Sequence, residues 1–447
     1  MTYKNNNHHF SPQLDMILTQ LCEGIETPTI KDFKTAHEKE RLIEHIENES
    51  YPYPLLHCEH QQLKGIGEDC VDCQHLQYNT YKSRYLELAK QHGETHTHTL
   101  HAAFDYYSSL ITQYRLTECD ELLTTVYPAC LERGTWSTYY FMAIQALSFL
   151  RFKQGRYEQS IEFFHKQIEI MGPNEKIYEN MALAYTRLNE NKEASVCYAK
   201  AILLIRQKPK EEQEFSTLLL GLSIVLENTD DALTVLNAGM DLLKEKYQQP
   251  HSLMAKTLTA IGDLHLKRND LLAAEKNYAE AVTIFIDTCG LETPLTSNAM
   301  HKQASVLSQL NQTIKAMPIF LDALKVWVKV DNESFDSTRV VEALMALLGT
   351  RDLPDTLRNE LIPTLDALQN KITNSPILFN DLNILCLLKF IYELFIVNSD
   401  FSRAKECCAL FIEHLNKLNT NNLGELSQLR DQLQQESTNI LNILQTL

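Results

Sequence analysis

One recurrence constrains this chain more than any other feature. Gly155, Tyr157, Phe164 and Ile168 are answered 34 residues later by Asn189, Asn191, Tyr198 and Ile202. A unit that repeats at this period is a two-helix hairpin, which cannot bury its apolar face alone, so successive hairpins stack. The stretch from Tyr140 to Arg206 thus predicts an all-α helical solenoid. Further units start near Leu100, Phe141, Glu175, Gln213, Ala255 and Ser297.

The residue types at fixed places within each unit have a packing reason. Small residues at places 8 and 20 let the two helices approach: Ser148 and Ser160 in the second unit, Ala182 and Ala194 in the third, Gly262 and Ala274 in the fifth. Large residues at place 24, such as Phe164, Tyr198, Tyr278 and Phe320, fill the space between neighbours. A bulky residue at a small place overpacks the hairpin, at a cost of about 1 to 3 kcal/mol. The unit from Gln213 is degenerate, 339–384 matches poorly, and a last unit carries Phe401, Ala404, Cys408 and Phe411.

Length and charge agree with an array. At 447 residues the chain exceeds the roughly 250 to 300 at which one core stops growing. A net charge of −17 argues against nucleic acid, because phosphate binding needs a basic footprint. The most apolar run, Ile384 to Val397, is broken by Lys389 and Glu393, which predicts a buried core helix and no membrane insertion. Eleven cysteines without framework spacing, behind a polar start, fit reduced thiols and a cytoplasmic location.

These residues resemble those of the tetratricopeptide repeat family, over roughly 95 to 415. The starts at Gln213, Ala255 and Ser297 are 42 residues apart, a spacing similar to the kinesin light chain subgroup. Its G-x-x-H-P-x-T linker is matched from Gly290 with Thr293 in place of His, and from Gly93 with Thr97 in place of Pro. The resemblance implies a tetratricopeptide-type α-solenoid, a right-handed superhelix of helical hairpins. It also implies a non-enzymatic scaffold or adaptor that binds peptide segments or partner domains in a concave groove.

In that family the first helix of each hairpin lines the groove. Carried over place by place, this implies Gln145, Phe149 and Phe152 in the second unit, and Asn180 and Arg187 in the third. It implies Lys256 and Lys267 in the fifth, and His301 and Lys302 in the sixth. The family's clamp for a chaperone's terminal carboxylate is matched at Asn180 and not at Gln145 or Phe149. The inward cations either attract an acidic peptide or pair with neighbouring acids such as Glu179 and Asp263, and the sequence leaves both open.

Outside the array, residues 1–10 read as a disordered tail and 11–50 as N-terminal helices, the first capped by Ser11. The segment 51–78 reads as a Cys/His-rich loop in which Cys58, His60, Cys70 and Cys73 could ligate one tetrahedral zinc. It resembles half of a B-box finger, whose second ligand set is missing here. The competing reading is a loop of unrelated thiols and imidazoles. Residues 79–420 form the array, and 421–447 an amphipathic capping helix.

No Gly-rich phosphate loop, G-x-S-x-G or H-E-x-x-H occurs, so an enzyme is not expected. Two alternatives to the scaffold follow from the same residues. One is a zinc-dependent adaptor or ubiquitin-ligase-associated module working through His57 to His75, and the other a peptide-sensing regulator.

Overall fold

The computed structural model describes residues 11–23, 71–135, 137–208, 215–329, 337–348, 355–374, 381–417 and 424–446. Nineteen helices and no strand occur among them. The chain divides into two units, Met1–Gly239 and Met240–Leu447.

In the first unit, helix α1 (Pro12–Leu21) starts as expected, with the Ser11 hydroxyl accepting from the Leu14 amide at 3.3 Å. Next come α2 (Val71–His92), α3 (Thr97–Thr112), α4 (Leu116–Glu132), α5 (Thr138–Lys153) and α6 (Tyr157–Met171). They are followed by α7 (Glu175–Arg187), α8 (Asn191–Ile205), α9 (Ser216–Val225) and α10 (Thr229–Lys246), the last crossing the division. Helices α5 and α6 pair as a hairpin, as do α7 and α8, while α2 packs along α3. Helix α1 lies on α8, where Asp15 meets Arg206 at 2.6 Å and Leu14, Ile17 and Leu18 are buried. The first helices begin within three residues of the places read from the sequence.

The recurrence of Gly155 and Asn189 has a backbone cause. Each sits in the left-handed region at the turn of its hairpin, φ 74° and 60°. Tyr114, Asn269 and Asn311 occupy the same place in other units with φ 54°, 60° and 59°. The next residue then donates back to the last turn of the first helix, as Arg156 does to the Arg151 carbonyl and Glu190 to that of Tyr185, both near 3 Å. This six-to-one closure satisfies carbonyls that the helix end leaves open, and Gly and Asn adopt the required conformation at least cost.

The second unit holds α11 (Ser252–Lys267), α12 (Leu271–Cys289), α13 (Pro294–Gln309) and α14 (Thr313–Lys329). Beyond them lie α15 (Ser337–Leu348), α16 (Asp355–Asn374), α17 (Asp381–Val397), α18 (Phe401–Lys417) and α19 (Gly424–Thr446). Three pairs are hairpins: α11 with α12, α13 with α14, and α17 with α18. The poorly matched stretch differs in its pairing, since α15 packs chiefly on α17 and α16 on α14. Trp327, Tyr392, Phe395 and Phe411 form the largest buried side chains of this core. Helix α17 is the buried helix expected from the apolar run, and among the described residues no helix is long and apolar enough to cross a membrane. Helix α19 covers α18, with Leu444 buried and the Cys408 thiol 3.5 Å from the Ser437 carbonyl.

Candidate functional site

In the first unit a cavity of about 490 Å³ opens between α3, α5, α6 and α7. Its wall is mainly apolar, with Phe104 and Tyr107 from α3, Phe141 and Met142 from α5, and Phe164 and Met171 from α6. Ile177 of α7 completes it. Helices of three successive units thus present one lined surface.

The polar groups of the floor are occupied. Tyr107 donates to the Ala146 carbonyl at 2.9 Å, and burial pushes its phenol well above the ordinary range. The Gln167 amide donates to the Ser148 hydroxyl at 2.7 Å, and the Ser160 hydroxyl to the Ser148 carbonyl at 2.7 Å. Asn174 caps α7, accepting from the Lys176 amide at 2.8 Å. At the rim the charge of Lys176 is met by Glu179 at 2.8 Å.

Two amide side chains on the wall differ. Gln145 of α5 is exposed and Asn180 of α7 is half-buried, and neither has a side-chain hydrogen-bond partner among the described residues. An amide offers both donor and acceptor, which is what a peptide backbone needs. The site therefore combines an apolar hollow with two free amides on successive first helices.

Of the residues expected from the repeat places, Gln145, Phe149 and Asn180 come together in this cavity. Phe149 keeps 43% of its surface exposed. Phe152 does not line it: its ring packs edge-on against Tyr157, 5.4 Å between centroids, across the hairpin turn. Arg187 is exposed at the end of α7, outside the lining.

The other four fall in the second unit. Lys256 is half-buried and Lys267 exposed, and neither has an ion pair among the described residues. His301 must be corrected, because it is 5% exposed in the core, beside the rings of Phe320 and Trp327 and 2.8 Å from a Glu342 oxygen. Lys302 is gripped by both oxygens of Asp263, at 2.5 and 2.6 Å, so here the pairing alternative holds.

Phe104 and Ser108 line the cavity without having been singled out. They stand at places 5 and 9 of the first unit, so the places used for the later units also reach them. The α6 contribution had no such signal, because Phe164, Gln167 and Met171 lie on a second helix.

Cys58, His60 and Cys70 lie outside the described residues, and Cys73 falls on α2, which begins inside the stretch read as a loop. Among the described residues no three His, Cys, Asp or Glu side chains gather as a metal would need.

These hairpins define a tetratricopeptide-type helical repeat protein. A tetratricopeptide repeat model matches residues 175–208, the α7 and α8 hairpin that supplies Asn180. No curated protein matches the sequence significantly. Among solved structures, the apo form of the quorum sensor NprR from B. thuringiensis is similar at 16% identity, with 77% of this chain and 99% of that one covered and a TM-score of 0.47. A tetratricopeptide repeat protein from Parabacteroides merdae ATCC 43184 is similar at 14% identity, covering 63% and 99%, TM-score 0.38. A Rap protein complexed with Competence and Sporulation Factor is similar at 13% identity, covering 83% and 99%, TM-score 0.42. Likeness at this level says nothing about what this chain binds.

Proposed function

We propose that the chain is a non-enzymatic interaction scaffold whose first unit takes an extended segment of a partner protein in the cavity between α3, α5, α6 and α7. The observation that carries this reading is the pairing of an apolar hollow with the unpartnered amides of Gln145 and Asn180. An apolar side chain of the segment fills the hollow. Its flanking backbone is held by the amides, so that the polar groups it brings are not left unpaired. Because each first helix is anchored by its own hairpin, the backbone that carries the two amides is fixed, and only their side chains are ordered on binding.

The test is affinity purification with the full chain beside the variant Gln145→Trp with Asn180→Ala. The tryptophan fills the hollow, and the alanine removes one amide. Partners identified by mass spectrometry that are lost from the variant, while circular dichroism reports unchanged helicity, would support the cavity as the site. Partners retained by a folded variant would move the binding surface elsewhere.

A further inference from the structure

Helix α1 lies on a face of α8 that the second helices of two other units, α6 and α12, leave to solvent. Val196, Ala199, Leu203 and Arg206 follow at spacings of three, four and three, one stripe of α8 opposite Ala194, Tyr198 and Ala201. Val196 and Leu203 are half-buried and Ala199 is fully buried. At the matching places α6 carries Glu162, His165 and Glu169, all exposed, and α12 carries exposed Lys276 and Thr283. Places that are polar on those helices are thus apolar on α8, under α1.

Two contacts fix how α1 lies there. The Asp15 carboxylate, in its first turn, accepts from the Arg206 guanidinium at 2.6 Å, at the end of α8. Cys22, which caps α1, is buried; burial raises its thiol, and the charge of Lys200, nearly two turns back along α8, opposes that rise. Helix α1 therefore runs antiparallel to α8, with Leu14, Ile17 and Leu18 buried between them and Met16 exposed. It has ten residues, a length at which a helix alone is marginal, and the next described helix begins only at Val71. Its docking sets three large apolar side chains and one ion pair against the ordering of the whole helix, terms of similar size. Helix α1 is thus held as a ligand is held, and not as a member of the array.

We propose that this face of α8 is a docking site for an amphipathic helix of a partner protein, which α1 fills as the chain's own ligand until it is displaced. The ligand class is a short helix with α1's pattern: apolar residues placed as Leu14, Ile17, Leu18 and Leu21 are, and a carboxylate directly after the first, as Asp15 is. A second copy offers no such ligand. Its α1 is held on its own α8 at the high effective concentration of a tethered segment, so exchange between copies gains no contact. No residue of α8 lines the cavity, so this site stands or falls apart from the cavity reading.

The probe is a peptide of residues 11–23 with Cys22→Ser, labelled with fluorescein at its C-terminus and read by fluorescence polarisation. On the full chain with Leu14→Asp and Leu18→Asp, which frees the face, it is expected to bind about tenfold more tightly than on the wild-type chain, where α1 competes. Arg206→Glu in that chain is expected to weaken binding about tenfold, and Asp15→Lys in the peptide to restore it. In the wild-type chain, unlabelled peptide is expected to speed the alkylation of Cys22 by iodoacetamide, read by peptide mapping, until the site saturates. Gln145→Trp with Asn180→Ala is expected to leave these results unchanged, which separates the site from the cavity. No binding to either chain, or binding that leaves Cys22 as slow to react as the buried Cys197, overturns the proposal. A wild-type dimer that becomes a monomer in the Leu14→Asp, Leu18→Asp chain gives the face to a second copy and overturns the partner reading.

Discussion

Gly262 of α11 faces the ring of Tyr278 of α12 so closely that a Cβ on the glycine would come 2.6 Å from the ring edge. The two residues stand at places 8 and 24 of one hairpin, and Tyr278 is fully buried. The small residue is therefore required by the large one.

Gly262→Ala is expected to destabilise the protein by about 1 to 3 kcal/mol, because the buried ring has nowhere to retreat. Gly239 is the contrast. A Cβ there meets Leu219 at 3.5 Å, an ordinary contact, and alanine favours a helix over glycine by about 1 kcal/mol. Gly239→Ala is expected to be neutral or stabilising. Urea midpoints of the two variants check both.

Tyr114 occupies the left-handed turn position that Gly155 and Asn189 fill elsewhere, at φ 54°. A side chain with a Cβ pays about 1 to 2 kcal/mol in that conformation, and glycine does not. A Cβ built on Gly155 meets no atom, so the strain at this place is of the backbone and not of crowding. Tyr114→Gly is expected to raise the melting temperature, despite losing the contact with Lys153. A fall would show that the ring contact outweighs the backbone strain.

The Tyr278 hydroxyl donates to Asp263 at 2.6 Å, and the same carboxylate holds Lys302. Burial, joined by the Asp263 hydrogen bond and charge, pushes the Tyr278 phenol far above its ordinary range. Tyr278→Phe is expected to cost about 0.5 to 1.5 kcal/mol. A double-mutant cycle with Lys302→Ala is expected to show coupling, since both partners share one acceptor. Additive losses would deny it.

Asp120 links α4 to the next hairpin. Burial alone would raise its carboxyl, but hydrogen bonds from Gln154 and Arg151, with the charges of Arg151 and Arg156, hold it below the ordinary range. A folded-state value below the unfolded one of about 3.9 adds stability that is fully present above the unfolded pKa. That stability is lost as pH falls through the folded value. In acid titrations followed by circular dichroism, Asp120→Asn is expected to remove part of the loss below about pH 4. Curves that differ only by a constant offset would contradict this.

Thiol reactivity is expected to follow burial. Burial pushes Cys119, Cys130 and Cys197 up to about 12, whereas Cys386 is exposed. Because the thiolate is the reactive form, iodoacetamide at pH 8 is expected to label Cys386 in the native protein and the other three only after unfolding. Peptide mapping by mass spectrometry reads the order.

What the sequence by itself determined is everything that depends on one residue and its own backbone or hairpin. Gly155 and Asn189 announce the turn because left-handed backbone is a local property. Gly262 with Tyr278, and Ser160 with Phe164, announce hairpin packing because their places recur with the period. Gln145, Phe149 and Asn180 were named from the places that the resemblance to the repeat family implies for its groove, and all three line the cavity.

What only the tertiary structure decided is who meets whom across helices distant in sequence. Place 5 of its unit gives His301 a direction, but burial against Trp327 and a bond to Glu342, 41 residues away, make it a core residue. Asp263 claims Lys302 across 39 residues, and Tyr157 draws Phe152 out of the cavity wall. The α6 side of the cavity was hidden for the same reason, as was the crossed pairing of α15 with α17 and α16 with α14. Local periodicity sets which face a side chain occupies. Its partner is set by the competition of all faces for a limited buried volume, and that is settled only when the helices pack.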